Sequence, residues 1–301
     1  MNILITGGKG FLAGRLYEYY RKKNHKIYLA SRNKSKITKK IDWNSQNKLN
    51  DLCKNKDIII NCAGLDSHGC KNISQASKIN STYPFRLFKA ANKNNVKLFI
   101  FISTFHVYKF EKKNINEKSK LDRASIYTRS KILGEKKLLK FRNPKTKIII
   151  LRVCNLFGYP FFKNKNCWRL LINSIIKELI INKKFKILSK NNNYRNYSSM
   201  KSFCEFTFKI ISKIDKLKKI PKIINYCSDK NMNIIQILKI ILKKINNKKN
   251  QIFFKYPEMN KVKKIFYKSK YQSKFKSIND KFFHEELKNL IIFSKKFLRS
   301  K

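Results

Sequence analysis

Met1-Asn2-Ile3-Leu4-Ile5-Thr6-Gly7-Gly8-Lys9-Gly10-Phe11-Leu12-Ala13-Gly14 passes from an apolar strand pattern, through a glycine-rich turn, into a helical pattern. Such a turn between a first strand and a first helix is built to hold a dinucleotide diphosphate. Gly7 allows the tight turn, Gly10 lets backbone approach phosphate, and the small Ala13 permits close helix packing, while the helix N-terminus favours negative charge. The following residues repeat the alternation. Apolar runs at 26–30, 57–62, 97–103 and 147–152 read as buried parallel strands, and 11–23, 73–92 and 125–141 have the length and period of crossover helices. Repeated strand and helix of this kind is the signature of an α/β, Rossmann-like, doubly wound parallel sheet.

Beyond Gly158, the last of eight glycines, the pattern loses its regularity. Helices over 168–181, 202–214 and 233–244, with strands at 185–188 and 222–226, predict a smaller lobe interleaved with late sheet elements. The expected division gives residues 1–165, with later elements near 196–228, to the NAD(P)-binding domain. Residues 166–195 and 229–301 go to a substrate-binding lobe.

With 301 residues, 42% of them apolar, the chain can bury a large core. Its formal charge of +54 raises nucleic acid or an anionic membrane as partners. The excess is spread along the chain, and runs such as Lys243-Lys244 and Lys263-Lys264 are short. A solvated basic surface is therefore expected, with no specific nucleic-acid partner. The seven cysteines form no C-x-x-C or C-x-x-H arrangement, so neither a disulfide framework nor a metal site is expected. No apolar stretch approaches the ~20 residues that span a bilayer, and the chain reads as a cytoplasmic protein.

Tyr127 and Lys131 stand four residues apart on the helix predicted at 125–141, so they share a face. A free phenol has a pKa near ~10, and a neighbouring ammonium would lower it, making Tyr127 usable as acid or base. Thr104 lies upstream, at the end of an apolar strand, where its hydroxyl could orient a reacting oxygen. At the end of the second strand Ser31-Arg32 stands where an acid would bind the adenosine ribose of NAD; the pair suits a 2′-phosphate and favours NADP over NAD.

In order and spacing these segments resemble the extended short-chain dehydrogenase/reductase family, in its NAD-dependent nucleotide-sugar epimerase/dehydratase branch. Thr6-Gly7-Gly8-Lys9-Gly10-Phe11-Leu12 is similar to that family's cofactor turn, and Asn61-Cys62-Ala63-Gly64 to the strand end beside the cofactor, with Asn80 on the next helix. Ser103-Thr104-Phe105-His106-Val107-Tyr108 resembles S-[ST]-x-x-V-Y. Tyr127 to Glu135 matches Y-x-x-S-K-x-x-x-E, and Leu151 to Gly158 matches L-R-x-x-N-x-x-G. Tyr194-Arg195-Asn196-Tyr197 is similar to R-D-[FY], with Asn196 in place of the aspartate; Ser202 also stands where an acid is common.

The resemblance implies a catalytic trio of Thr104, Tyr127 and Lys131 serving a nicotinamide cofactor. Gly7, Gly10, Phe11, Leu12, Ser31, Arg32, Cys62, Ala63, Gly64, Asn80, Tyr127, Lys131, Val153 and Cys154 would hold that cofactor. Thr104, Asn155 and Arg195 would meet a nucleotide-sugar substrate, Arg195 at the diphosphate, in nucleotide-sugar metabolism and polysaccharide biosynthesis. A homodimer through the Tyr127 helix and its preceding neighbour is the family-level expectation. Sugar dehydratases that resemble this chain carry an Asp-Glu pair where it has Phe105 and His106, so elimination is disfavoured. Three readings stay open: an epimerase, an NADPH-dependent keto-sugar reductase, and a non-catalytic dinucleotide-sensing or polyanion-binding protein on the same scaffold.

Overall fold

The computed structural model describes residues 1–111, 113–162, 167–187, 192–216, 221–245, 253–255, 264–275 and 278–298. In chain order the first half contains β1 (Asn2–Thr6), α1 (Phe11–Tyr20), β2 (Lys26–Ser31), β3 (Thr38–Lys40), α2 (Gln46–Cys53), β4 (Ile58–Asn61), α3 (Ile73–Ser77), α4 (Tyr83–Lys93), β5 (Leu98–Thr104), β6 (Asn114–Ile115) and α5 (Ile126–Leu139). The second half contains β7 (Lys147–Val153), β8 (Asn155–Phe157), α6 (Leu171–Asn182), β9 (Lys184–Lys186), β10 (Arg195–Ser199), α7 (Met200–Ser212), β11 (Ile223–Tyr226), β12 (Asn231–Met232), α8 (Ile234–Ile245), β13 (Phe253–Lys255), β14 (Phe266–Tyr267) and α9 (Phe283–Leu298).

Seven parallel strands form the main sheet in the order β11-β7-β5-β4-β1-β2-β3. Because strand side chains alternate, Ile3 and Ile5 face α1 and α7 with Leu16, Tyr20 and Phe203, whereas Leu4 and Ile59 face α2 and α4 with Leu49, Phe88 and Phe99. The strand order reverses between β1 and β4, the place where open α/β sheets leave a crevice at their carboxyl ends. Gly7 lies at that point with φ +71°, and a Cβ there would come within 2.9 Å of the Ala63 nitrogen, so glycine is required on both counts.

The helix expected over 73–92 contains a π turn at Lys78–Thr82. Pro84 has no N–H to give the Asn80 carbonyl, so the α-helical ladder cannot run through that point. Gly134 of α5 packs against this carbonyl so closely that any Cβ would collide with it. The α5 helix, capped by Ser125 accepting from the Thr128 N–H at 3.1 Å, is thereby drawn against the π turn.

The smaller lobe packs Phe157, Ile172, Ile176, Tyr197, Ile237 and Leu287 around its own core. It contributes α6, α8 and α9, while β11 returns to the main sheet beside β7. The strand expected at 185–188 begins one residue earlier and ends at Lys186; Leu188 lies outside the described residues. The two cores are joined by a buried ion pair: Arg15 of α1 donates to Glu286 of α9 at 2.7 and 3.0 Å, and to the Tyr159 carbonyl at 2.8 Å. Glu286 also accepts from the Lys201 N–H at the start of α7, at 3.1 Å.

Removing one partner of such a pair leaves a buried, uncompensated charge. Glu286→Ala is expected to lower unfolding free energy by about 3–5 kcal/mol, and Arg15→Met/Glu286→Leu to regain most of it. Urea midpoints of the three proteins check this.

Candidate active site

The cleft opens where β1, β4, β5 and β7 end. Its phosphate side is the turn before α1. Gly10 is the N-cap residue and supplies no side-chain hydrogen bond, so the first-turn N–H groups at Phe11 and Leu12 have no side-chain cap. A Cβ at Gly10 would lie 2.8 Å from the Gly7 carbonyl oxygen, so the turn is as tight as the sequence requires. An uncapped N-terminus behind a turn of this shape suits a diphosphate, by charge and by its N–H groups. Gly8 is unavailable there, since its N–H donates to the Ala30 carbonyl at 2.9 Å.

At the end of β2, Ser31 is buried and donates to the Asn33 carbonyl at 2.5 Å, while Arg32 is exposed. The Ser31 proton is therefore engaged inside its own loop. A 2′-phosphate would find the Arg32 guanidinium there but not the expected hydroxyl donor.

Across the crevice, Thr6 donates to Asn61 at 2.7 Å, which levels the ends of β1 and β4 and sets Cys62, Ala63 and Gly64 at the cleft. Burial pushes the Cys62 thiol up to about 12, so it stays protonated. Asn80 is fully buried, accepts from the Leu65 N–H at 2.8 Å and donates to Ser130 Oγ at 2.9 Å. Its amide thus braces the Gly64 loop against α5. A Cβ at Gly64 would lie 3.2 Å from Lys131 Nζ, which shows how closely the lysine underlies this loop.

The three residues expected to react come together. Thr104 ends β5, Tyr127 and Lys131 share a face of α5, and the Tyr127 hydroxyl lies near the Thr104 side chain, which acts to lower its pKa. Thr104 Oγ1 also accepts from the His106 N–H at 3.2 Å. The expectation that Lys131 lowers the tyrosine pKa needs correction for the protein by itself. Lys131 Nζ donates to the Ile102 carbonyl at 3.1 Å, away from the phenol, and burial pushes Tyr127 up to about 12. Burial likewise brings Lys131 down to about 8. Burial disfavours the charged form of each: Tyr127 stays neutral at pH 7, while Lys131 remains mostly an ammonium there, and charge brought in by a bound partner would act on both with little screening.

Val153 and Cys154 lie at the end of β7, buried, on the floor of the cleft. Asn155 and Arg195 line a cavity of about 170 Å³ with Phe105, His106, Phe110, Tyr194 and Tyr267. Asn155 donates to the Asn196 carbonyl at 3.0 Å, which joins β8 to β10 and sets Arg195 at the rim. The His106 imidazole stands 6.3 Å from the Tyr127 ring between centroids; though its edge is exposed, crowding by the surrounding protein and the charge of Arg195 lower its pKa and favour the neutral form.

Sequence reasoning missed the apolar half of this cavity. Phe110, Ile265 and Tyr267 carry no motif, and Tyr267 reaches the site through a two-strand pairing of β14 with β6. It also left Ser103, Glu135, Arg152, Tyr108 and Asn225 without parts to play. They form one buried network: Glu135 accepts from Ser103 at 2.5 Å and from Arg152 at 2.6 Å, Arg152 donates to Tyr108 at 2.9 Å, and Tyr108 donates to Asn225 at 2.6 Å. For Ser103, Glu135, Arg152 and Tyr108, their place inside motifs was the available signal.

The profile of the NAD dependent epimerase/dehydratase family matches residues 3–227. A search of curated proteins finds no match. Among solved structures, UDP-N-acetylglucosamine 4-epimerase from Methanobrevibacter ruminantium M1, in complex with UDP-N-acetylmuramic acid, is similar with a TM-score of 0.83 and 19% identity, over 100% of this chain and 99% of that one. UDP-glucose 4-epimerase from Thermotoga maritima, with UDP-glucose, is similar with a TM-score of 0.81 and 17% identity, over 99% and 100%. UDP-glucuronic acid 4-epimerase from Bacillus cereus, with UDP-glucuronic acid and NAD, is similar with a TM-score of 0.79 and 17% identity, over 98% and 99%.

The Lys131 shift is also a statement about stability. Its folded pKa, about 8, lies below the ordinary value of 10.5, so between those values the unfolded chain binds more protons and stability rises with pH. Below pH 8 the full penalty applies, on the order of 3 kcal/mol. Lys131→Met is expected to be more stable than the parent at pH 7, with the gap narrowing by pH 9.5. Tyr127 acts with the opposite sign only above its ordinary value near 10. Denaturant melts of both proteins at the two pH values test the expectation.

Proposed function

The chain belongs to the NAD dependent epimerase/dehydratase family, and from that premise we propose that it is a nucleotide-sugar epimerase working by reversible hydride transfer at a sugar carbinol carbon. The observation that carries this reading is the meeting of Tyr127 and Thr104 at the mouth of a cleft floored by Val153 and Cys154. The substrate diphosphate would meet Arg195, and the sugar would occupy the cavity beside His106 and Asn155.

The turn from Gly7 to Leu12 would hold the diphosphate of NAD, and Lys131 with the Cys62-Ala63-Gly64 edge would hold its nicotinamide ribose. When bound, that group accepts the hydride from the carbinol carbon and later returns it. Tyr127 takes the proton of the sugar hydroxyl as the hydride leaves, and gives it back on reduction. Thr104 holds the same oxygen and aligns it with the phenol. Lys131 stabilises the phenolate once its ammonium faces the cleft, where low dielectric strengthens the attraction. Asn155 and His106 would hold ring hydroxyls, and the apolar surroundings exclude water. NAD is favoured over the NADP suggested by Ser31-Arg32, because Ser31 has already given its proton to Asn33. UDP is the nucleotide bound in the similar epimerase structures and is the first to try.

Tyr127→Phe removes the proton-transfer group and keeps the ring. Turnover of a UDP-sugar substrate is expected to fall by about 10²–10⁴, with substrate affinity little changed, as measured by single-turnover kinetics and calorimetry. Unchanged turnover would overturn the reading.

A further inference from the structure

The cavity beside the Tyr127–Thr104 pair has a lining of two kinds. His106, Asn155, Asn193 and Arg195 are polar, while Phe105, Phe110, Ile265 and Tyr267 supply an aromatic and aliphatic wall. Phe105 follows Thr104 directly, so its side of the cavity lies next to the atom that reacts rather than at the diphosphate rim. Its ring stacks on Tyr267 at 5.1 Å with an interplanar angle of 11°, and Phe110 meets Tyr267 edge-on at 6.1 Å.

This wall is held from several directions. Tyr267 is fixed by the pairing of Phe266 with Asn114 and of Tyr267 with Ile115. Directly behind it, Glu117 accepts from Ser269 Oγ at 2.7 Å and from the Lys270 N–H at 3.1 Å. Asn225 donates to the Lys268 carbonyl at 3.1 Å. The rings therefore stand in place before any ligand arrives and cannot turn aside cheaply.

Adjacent to a reacting C4 carbinol, a hexose carries a hydroxyl on one side and, on the other, the carbon that bears C6. We propose that the Phe105–Tyr267 wall selects a nucleotide sugar whose C6 is a methyl group, a nucleotide 6-deoxyhexose, over the hexose and the hexuronate. The inference rests on the nucleotide-sugar reading above. A methyl group against aromatic and aliphatic carbon loses nothing on leaving water and gains contact. A C6 hydroxyl turned toward the same carbon would lose its water partners. A carboxylate, being charged, would lose more on leaving water against the same carbon.

The same residue places the enzyme in a reaction sequence. Making a 6-deoxy sugar requires loss of water across C5 and C6, with one group to take the C5 proton and another to protonate the departing hydroxide, and hydride delivery to C6 that leaves a ketone at C4. Phe105 can take neither proton-transfer part, so a separate dehydration, followed by a nicotinamide-dependent reduction of that ketone, must supply this substrate.

The test uses the full-length protein with added NAD and three substrates sharing one nucleotide: the UDP-6-deoxyhexose, UDP-glucose and UDP-glucuronate. kcat/KM is expected to be about 10–100-fold higher for the 6-deoxy sugar than for UDP-glucose, and lower still for UDP-glucuronate. In Phe105→Ser, which puts a hydroxyl into the wall, the ratio of the first two should fall toward one. The ratio in the unmodified protein decides the matter even if the variant does not fold. UDP-glucose or UDP-glucuronate turned over as well as the 6-deoxy sugar would overturn the wall's selectivity and leave the nucleotide-sugar reading standing. Absence of turnover with all three would overturn both.

Discussion

The Glu135–Arg152 pair is the constraint on which the cleft depends. Both side chains are almost wholly buried, and a carboxylate and a guanidinium in that position must satisfy each other or leave a charge stranded in a low-dielectric interior. They meet through both carboxylate oxygens, and the remaining valences go to Ser103 and Tyr108. Geometry follows from this saturation. Ser103 precedes Thr104 on β5, Glu135 lies one turn after Lys131 on α5, and Arg152 precedes Val153 on β7. One buried network therefore ties the hydroxyl, the lysine and the cleft floor to a common origin. Such a network adds little to stability compared with an apolar core of equal volume. Its effect is positional, because strand and helix cannot slide past each other without breaking several charged hydrogen bonds at once.

This explains why so much of the site was legible from sequence. Motif residues outside the proposed trio, Ser103, Tyr108, Glu135 and Arg152, are members of the network, which Asn225 completes, so the motifs spell out both the proposed chemistry and the scaffold that holds it. The main-sheet strands were legible for a simpler reason, since central parallel strands are apolar on both faces. The π turn at Lys78–Thr82 escaped because periodicity over 73–92 is unbroken, and only Pro84 marks the missing N–H. The Gln46–Cys53 helix and the Phe283–Leu298 helix escaped because Lys and Asn dilute their periodicity. The aromatic wall was illegible in principle: Phe110 and Tyr267 become neighbours only through a pairing of two-residue strands, which no local pattern announces.

Two departures from the family pattern turn out to be repaired elsewhere. Ser202 stands where an acid is common, and Ser198, Ser199 and Ser202 all donate to Asp280 at 3.0, 2.8 and 2.7 Å, while the Ser199 N–H donates to it at 2.6 Å. Here the carboxylate comes from another segment, and it fastens the approach to α9 onto the start of α7. Asn196 uses its amide both ways: it accepts from the Ser228 N–H at 2.9 Å and donates to the Ser228 carbonyl at 2.8 Å. An aspartate could not donate, so asparagine suits this pairing better than the residue it replaces.

The same economy bears on the charge. With 71 basic and 17 acidic residues, this chain has few carboxylates to distribute. Glu135, Glu286 and Asp280 are buried in networks that join separate elements, and Glu117 gathers three donors behind the aromatic wall. Lysines, by contrast, mostly lie at the surface, where each is solvated on its own and a surplus costs little beyond mutual repulsion that salt screens. Surface acids contribute little to stability when paired there, so a chain can lose them and still fold. Buried acids cannot be lost singly, because each leaves a cation or a set of N–H and O–H donors without an acceptor. The strongly basic composition therefore leaves the α/β architecture intact: the acids that position the cleft are those that burial makes hardest to replace.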